Sequence, residues 1–405
     1  MESKIKGRIL ILVENLPVPF DRRVWMESLA LTEAGYEVSV ISPCPPNDTE
    51  LCKTIEGIHV YRYVLQATSS GPASYVKEYW TAWINTWKLT KRVAKEVGFD
   101  VIQSCNPPDI FWTIGKYWKR RKKAFVFDHH DLCPELFVSR FKKETGKLLK
   151  SQYWLERKTF ETADMVISTN ESYKEIAVSR GKMHPDDVAV VRSGPQLARF
   201  KPTEPDPSLK RGRPYLGVYL GVMGPQDGVD IAVRAVDVLV KKYKYNNISF
   251  TFVGGGDCLE DLKTLVCSLG LEDYIQFTGR IPDEDLMRYL SSADLGIAPD
   301  PYNPLNNVST MNKMIEYMAM GLPIVSFDLK ESKYSAGEAA VYVQPNDEDL
   351  FAKAIMELAE DETRRKQMGE LGRKRVEEQL AWDHSRKVLV AAYDRLFEKM
   401  RTGRK

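Results

Sequence analysis

No run of apolar residues in this 405-residue sequence approaches the length of a transmembrane helix. The apolar stretch at 9–13 ends at Glu14, before any small-residue cleavage site, so we interpret it as a buried first strand and not as a signal peptide. We therefore expect a cytoplasmic protein, with peripheral attachment to the cytoplasmic face of a membrane as an open alternative.

Cysteine is scarce, and no pair has C-x-x-C or another metal-ligand spacing. The six residues are Cys44, Cys52, Cys105, Cys133, Cys258 and Cys267. This pattern favours free thiols in a reducing compartment, although one disulfide stays open. Neither sign of charge predominates, since the formal net charge is only +2. We therefore expect no nucleic-acid partner.

A glycine-rich G-x-G-x-x-G turn is missing after the first apolar segment. Residues 15–19 read Asn-Leu-Pro-Val-Pro instead. This counts against a dinucleotide oxidoreductase, which remains the weakest alternative.

Short apolar segments alternate with longer helical patterns along the whole chain, on either side of a polar, proline-rich hinge at 202–207. This alternation predicts two doubly wound α/β domains with parallel sheets and a cleft between them. We assign 1–200 and 201–385 to the two domains, and 386–405 to a final helix that could return to the first domain. The predicted strands are 9–13, 37–41, 101–103, 124–127, 165–168, 188–191, 215–220, 248–253, 275–278, 295–298, 323–327 and 340–343.

The stretch 309–325 is the most informative about function. Ser309 or Thr310 could cap a helix whose free amides would face an anion, with Met311 and Asn312 at its start. Lys313 lies close enough to neutralise that anion, and Glu316 follows about one turn later. A phosphate clamp followed by a carboxylate that can bind ribose hydroxyls predicts a nucleotide-sugar site.

Two other loops follow predicted strands of the second half. Gly254 and Gly255 come between a strand and a helix, so their amides could approach a phosphate, although such turns need glycine in any case. Arg280 follows a strand end, where a surface role is nearly as plausible. In the first half, His130 and Asp131 come just after the strand at 124–127, at the edge where α/β sheets bind ligands.

In order and spacing, these segments resemble a retaining glycosyltransferase of family 4, which has the GT-B fold of two Rossmann-like domains. The resemblance covers nearly the whole chain. It is carried by Pro19 to Trp25 with Ala34 to Val38, Asp128 to Glu135, Val191 to Phe200, Gly254 to Asp257, Thr278 to Pro282, and Ser309 to Gly321.

The sequence departs from the family at its usual donor contacts. Val222 and Asp227 stand where the family has Arg and Lys, and Val308 stands where it has the first glutamate of Glu-x7-Glu. Glu316 fits the second glutamate. We interpret Lys313 as the replacement cation, oriented by Asp227.

The resemblance implies that the first domain binds the acceptor and the second binds the donor, a nucleoside diphosphate sugar with UDP or GDP favoured. His130 would position the donor sugar, with His129 as its rival. Arg22, Arg23, His129 and Glu135 would line the acceptor side, although the two arginines are equally suited to structural ion pairs. The donor set would be completed by Gly224 and Gln226 beside Asp227.

The implied reaction retains the anomeric configuration and uses no metal or other cofactor. The acceptor would be a saccharide or a lipid-linked sugar, as in cell-envelope polysaccharide or glycolipid synthesis. A nucleotide-sugar 2-epimerase and a non-catalytic nucleotide-sugar-binding homologue are the alternatives, and the departures at Val222, Asp227 and Val308 favour the second.

Aromatic and basic residues concentrate in the first domain. Trp80, Trp83 and Trp87 have helical spacing, for which core or interdomain packing is the default interpretation. Basic residues cluster at 116–123 and 140–150. Together they would also suit an anionic membrane surface or a lipid-pyrophosphate acceptor.

Overall fold

The computed structural model describes residues 5–45, 48, 50–65 and 72–403, with the side chains of 72–76 outside this description. It divides into two compact units. The first contains the residues up to Arg192 together with those from Ser385 onward, and the second is Ser193–His384. The division therefore falls ahead of the proline-rich segment at 202–207. No helix among the described residues is long and apolar enough to cross a membrane.

The first unit holds eight strands, seven of them parallel. The strands are β1 (Arg8–Leu12), β2 (Glu37–Pro43), β3 (Cys52–Ile55), β4 (Ile58–Tyr63), β5 (Val101–Cys105), β6 (Ala124–His129), β7 (Met165–Ser168) and β8 (Val188–Val190). The helices are α1 (Arg22–Glu33), α2 (Pro72–Glu96), α3 (Trp112–Lys119), α4 (Cys133–Phe141), α5 (Lys147–Thr162) and α6 (Glu171–Ser179). Their order in the sheet is β3-β4-β2-β1-β5-β6-β7-β8, with β3 antiparallel to β4.

The strand β1 lies at the centre of this sheet and pairs with β2 on one side and β5 on the other, as Ile9 pairs with both Val38 and Val101. From Ile9 to Leu12 its side chains are almost completely buried, as expected for a parallel sheet covered on both faces. Residues after β1, β5 and β6 consequently meet at one carboxyl edge.

The second unit has six parallel strands in the order β11-β10-β9-β12-β13-β14. The strands are β9 (Tyr215–Leu220), β10 (Ile248–Val253), β11 (Ile275–Gly279), β12 (Leu295–Ala298), β13 (Ile324–Phe327) and β14 (Ala340–Val343). The helices are α7 (Val229–Lys241), α8 (Leu259–Leu269), α9 (Asp283–Ser292), α10 (Asn312–Ala319), α11 (Lys330–Ala336), α12 (Glu348–Glu360), α13 (Glu362–Arg375) and α14 (Trp382–Thr402), which continues into the first unit.

Strand order in the second unit reverses between β9 and β12. This is the topological switch point of a doubly wound sheet, where ligands bind outside the carboxyl ends of the strands. The loops after β9 and β12 and the start of α10 all lie at this edge. Fold geometry alone therefore makes them the candidate ligand site.

All twelve predicted strands are present, with ends that shift by at most two residues. The strands β3 and β4 were not predicted; they form a hairpin whose turn residues Glu56 and Gly57 have φ of 48° and 81°. These angles fit a two-residue turn in which both central residues have positive φ.

Candidate functional site

Glycine backbones bring the loops after β9 and β10 into close contact. Gly254 has a φ of +130°, and a Cβ atom there would lie 1.9 Å from the carbonyl oxygen of Gly221. The Gly254 N–H donates to the carbonyl of Gly279 over 2.9 Å. Packing alone thus requires Gly254, whereas a Cβ atom on Gly255 would meet nothing within 4 Å.

Lys313 lies in the first turn of α10 and reaches the carboxyl end of β9. A Cβ atom on Gly221 would lie 3.3 Å from its Cε, and its Nζ lies 5.0 Å from the centroid of the Tyr219 ring. Its ammonium group forms an ion pair of 2.6 Å with Asp300, which comes two residues after β12. The two side chains are only 8% and 2% exposed. The switch point therefore holds a buried cation with a buried counter-ion.

The charge on Lys313 is stabilised by two carboxylates. Burial opposes this charge, but Asp300 and Asp227 outweigh burial and raise the pKa of Lys313. Asp227 also accepts a hydrogen bond from the N–H of Gly224 over 2.8 Å. The sequence prediction that Asp227 acts on Lys313 thus has an electrostatic basis, but it missed Asp300, the carboxylate in direct contact.

The start of α10 differs from the prediction. Met311 is the N-cap residue of this helix, and its side chain makes no capping hydrogen bond. The expectation that Ser309 or Thr310 caps it is wrong, because a short 3-10 turn at Asn306–Val308 precedes the helix and the Ser309 hydroxyl donates to the carbonyl of Leu305 over 2.8 Å. Asn312 is exposed, and Glu316 is half-buried one turn beyond Lys313.

The remaining predicted donor residues surround the same edge. The carbonyl of Gln226 accepts a hydrogen bond of 2.9 Å from the amide of Asn306, which also donates to the carbonyl of Pro301. Asn306 thereby ties the loop after β9 to the loop after β12. Val222 is exposed in the first of these loops, and Arg280 is exposed directly after β11.

In the first unit, a buried network surrounds Asp128 at the end of β6. Its Oδ1 lies 3.0 Å from Nη2 of Arg23, and its Oδ2 lies 2.7 Å from Nε2 of His130. Gln103 donates to Asp128 over 2.8 Å and to Glu27 over 2.7 Å. The helix α1, capped by Asp21, places Arg23 and Glu27 one turn apart on its buried face.

Charge states in this network follow from burial and its neighbours. Burial raises the pKa of Glu27 to about 8, so Glu27 is mostly protonated at neutral pH. Burial opposes the charge of Asp128 as well, but His130 and Arg23 lower its pKa overall. Burial alone would lower the pKa of His130, yet Asp128 raises it. Asp128 is therefore the carboxylate that holds the negative charge.

The backbone at His130 is fixed by Asn106, which follows β5. The side-chain oxygen of Asn106 accepts from the N–H groups of His130 and Asp131 over 2.7 and 3.1 Å. Its amide donates to the Asp131 carbonyl over 2.7 Å. The edge that carries His130 and Asp131 is thus held by side-chain contacts from a neighbouring strand.

Cys105, Asp128 and His130 place potential metal-ligand atoms within 4.8 Å of one another, the one such group of three among the residues described. The Asp128 oxygens already contact Arg23, Gln103 and His130. A guanidinium this close opposes a second cation, so we interpret the group as a hydrogen-bond network.

His129 is not an accessible residue. Its side chain is completely buried against Phe127, Phe160 and Tyr173, with ring centroids 5.0 to 5.2 Å away. Burial lowers its pKa to about 3, so it is neutral. The prediction of His129 on the acceptor side is therefore corrected to a core position.

Two of the other predicted acceptor residues hold structural ion pairs. Arg23 is buried between Asp128 and Glu27, which is the structural alternative left open for it. Glu135 pairs with Arg180 at 2.5 Å, and Arg180 also contacts Glu156 at 2.6 Å. Arg22 lies on the exposed side of α1.

Comparison with known proteins supplies the family. Residues 21–199 match the model of Glycosyltransferase Family 4, and residues 214–361 match that of Glycosyl transferases group 1. A D-inositol 3-phosphate glycosyltransferase of Corynebacterium kroppenstedtii is 26% identical over 53% of this chain and 50% of its own length. The chain therefore spans about half the length of that relative. Mannosylfructose-phosphate synthase of Agrobacterium fabrum is 22% identical over 89% of this chain and 83% of its own length.

Solved structures share the fold over almost the full length. A sucrose-phosphate synthase from Thermosynechococcus elongatus has a TM-score of 0.78 at 20% identity, covering 97% of this chain and 99% of its own. The Anabaena protein HepE, in complex with UDP-glucose, has a TM-score of 0.70 at 13% identity, covering 96% and 100%. The predicted GT-B fold of two doubly wound Rossmann-like domains is confirmed. The chain belongs to glycosyltransferase family 4.

Proposed function

We propose that this protein transfers a sugar from a nucleoside diphosphate sugar to an acceptor hydroxyl, with retention of anomeric configuration. The observation that carries the proposal is the buried Lys313 at the switch point of the second sheet, in the first turn of α10. A buried cation beside the N-terminus of a helix suits the phosphate groups of a donor. HepE, a structural neighbour, has been solved with UDP-glucose, which supports a donor of this class.

Each group at this edge has a proposed role. Lys313 and the first amides of α10 bind the donor diphosphate, and Asp300 keeps the Lys313 side chain in place. Glu316, one turn along α10, accepts hydrogen bonds from the ribose hydroxyls. Gly255, whose α-carbon faces open space, lets the phosphates approach the backbone.

The proposed chemistry is a front-face displacement. The bond between the anomeric carbon and the phosphate oxygen breaks while the acceptor oxygen bonds to the same face of the sugar. Positive charge grows on the sugar ring and negative charge on the diphosphate, and Lys313 stabilises the latter. The departing phosphate oxygen takes the proton of the acceptor hydroxyl. We expect the step to need no metal.

His130 and Asp131, at the carboxyl edge of the first sheet, are proposed to hydrogen-bond the donor sugar. The acceptor is proposed to be a saccharide or a lipid-linked sugar of the cell envelope, with Arg22 on its side. Arg23 and Glu135 are satisfied by internal ion pairs and would support this region indirectly.

The test is a calorimetric panel of UDP, GDP, ADP, dTDP and CMP with their sugar conjugates. One diphosphate should bind well above the others, and Glu316→Ala should weaken it while the exposed Glu338→Ala does not. If none binds, a non-catalytic homologue that has lost donor binding replaces the transferase. Release of an epimerised sugar without any acceptor would instead identify a 2-epimerase.

We also propose that the segment from Lys142 to Lys150 contacts an anionic membrane surface. This α4–α5 segment contains Lys142, Lys143, Lys147 and Lys150, all exposed, with Glu144 as its one acid. The exposed Leu148 and Phe141 add apolar area beside these charges. Basic residues interleaved with exposed apolar groups favour the headgroup region of an anionic bilayer.

Vesicle flotation with and without phosphatidylserine tests this contact. Changing Lys142, Lys143 and Lys147 together to Gln should abolish binding to the anionic vesicles. The same change at Lys353, Lys366 and Lys374, exposed lysines of the second unit, should leave it intact. Equal loss in both triple variants would show a non-specific charge effect.

A further inference from the structure

His130 uses only one of its two ring nitrogens inside the protein. Nε2 lies 2.7 Å from Oδ2 of Asp128, and the described residues provide no hydrogen-bond partner for Nδ1. The side chain is 14% exposed, so the ring contacts Asp128 on one side and is still partly accessible to solvent. This arrangement leaves Nδ1 available to a ligand.

Asp128 is itself fixed from three directions. Arg23 contacts Oδ1 from α1, Gln103 donates to Oδ2 from β5, and His130 shares that oxygen. Gln103 is in turn held by α14, because the hydroxyl of Tyr393 donates to its side-chain oxygen. Two elements and the C-terminal helix therefore determine where the Asp128 carboxylate lies.

We propose that Asp128 is a positioning residue for His130: it binds the Nε2–H group and thereby turns Nδ1 toward the donor sugar, where Nδ1 accepts a hydrogen bond in the neutral ring and donates one in the protonated ring. This inference rests on the proposed function, which places His130 at the sugar. It goes beyond that function by naming the ring nitrogen used, the tautomer and the residue that imposes both. Arg23 and Gln103 hold Asp128 and do not touch the ring themselves in the contacts above.

The pair also has an electrostatic consequence. A positive His130 would oppose the positive charge that grows on the sugar, and the neighbouring Asp128 carboxylate offsets it. Other ionisable groups that act on His130 are Arg23 and Glu27 from α1, while His129 and Asp131 flank it in sequence. Among the ionisable groups around His130, Asp128 is the one whose hydrogen bond to the ring is described.

Glu27 offers a matched control for Asp128. Both carboxylates are completely buried, both lie 3.0 Å from Nη2 of Arg23, and both accept from Gln103. Asp128→Asn removes the charged carboxylate of this network, and Glu27→Gln removes the mostly protonated carboxyl group beside it. Only the first removes the partner of His130.

The first measurement is ¹⁵N NMR of the histidine rings in the full-length wild-type protein without ligand. Neutral His130 should carry its proton on Nε2, and a proton on Nδ1 would overturn the proposal. Because this readout needs no substitution, it decides the point even if Asp128→Asn fails to fold. In a folded Asp128→Asn variant, the pKa of His130 should fall by about one unit or more, and by less in Glu27→Gln. Equal shifts in the two variants would also overturn it.

The second measurement compares affinity for UDP-glucose with affinity for UDP. Asp128→Asn and His130→Ala should reduce the UDP-glucose preference by the same factor, and the double variant should lose no more. A preference that survives Asp128→Asn but not His130→Ala contradicts the positioning role. A preference unchanged by His130→Ala removes His130 from the proposed sugar site, while the NMR result still decides whether Asp128 controls its ring.

Discussion

Lys313→Met should destabilise the second unit far more than an ordinary lysine substitution. The change removes the cation of a 2.6 Å ion pair whose members are 8% and 2% exposed. It leaves the Asp300 carboxylate charged and buried, with an Oδ2 atom that has no hydrogen-bond partner in the described structure. Removing one partner of a buried pair costs about 3–5 kcal/mol.

A second ion pair in the same unit provides the control. Lys333 and Asp328 are 2.7 Å apart, but their side chains are 53% and 42% exposed. Lys333→Met should therefore cost less than about 1 kcal/mol, because water screens the pair and solvates the remaining carboxylate. For a unit of this size, the expected fall in Tm is roughly 6–20 °C for Lys313→Met.

Urea unfolding by circular dichroism measures the free energy, and hydrogen exchange of peptides from Ser193–His384 assigns the loss to the second unit. Adding Asp300→Asn to Lys313→Met should restore most of the stability, because no buried charge then lacks a partner. Lys313→Met should abolish nucleotide binding, and the double variant should not regain it. Equal costs for Lys313→Met and Lys333→Met would refute the buried pair, and normal binding in the double variant would remove Lys313 from the phosphate site.

Further substitutions test three separate features of the structure. Burial and the charge of Glu78 raise the pKa of Glu14 to about 8, so the folded state holds a proton that the unfolded state loses near pH 4.5. The free energy of unfolding should therefore fall as pH rises from about 4.5 to 8. Glu14→Gln should raise the Tm at pH 8 but not at pH 4, whereas the exposed control Glu144→Gln should change the Tm little at either pH. Gly254→Ala should destabilise the second unit, whereas Gly255→Ala should lower nucleotide affinity at unchanged Tm. His129→Phe should keep activity. Its Tm relative to that of the wild type should rise as pH falls below 6.5, because His129 is protonated there in the unfolded wild type but stays neutral in the folded protein.

The fold was predictable from the sequence because buried parallel strands are short apolar runs, and helices of intermediate length separate them. The missed strands break this pattern. In β3, exposed and half-buried residues alternate at the edge of the sheet, so no apolar run marks it. The Glu56-Gly57 pair between two alternating segments was the available signal, since such turns need positive φ.

The site was only partly predictable because its contacts join residues distant in sequence. Lys313 was found from its place in a motif, but Asp300 lies thirteen residues earlier, beyond any local pattern. Residues that follow adjacent parallel strands lie at one edge of the sheet, and this rule could have identified Asp300 and Asn106 as candidate site residues. The choice between His129 and His130 needed burial, because alternation along β6 sends neighbouring side chains to opposite faces.

Charge at the donor edge yields a last prediction, which bears directly on the departures from the family. Lys313 supplies one positive charge, while Asp300 and Asp227 supply two negative ones that both act on it. Asp227→Asn removes one negative charge and keeps an oxygen that can accept from the Gly224 N–H. A diphosphate within about 8 Å should then bind more tightly by on the order of 1 kcal/mol, with the gain shrinking as salt rises. Weaker binding would show that Asp227 supports donor binding, for instance by orienting Lys313. The lysine that the family usually has at this position would then be replaced by a different arrangement and not merely lost.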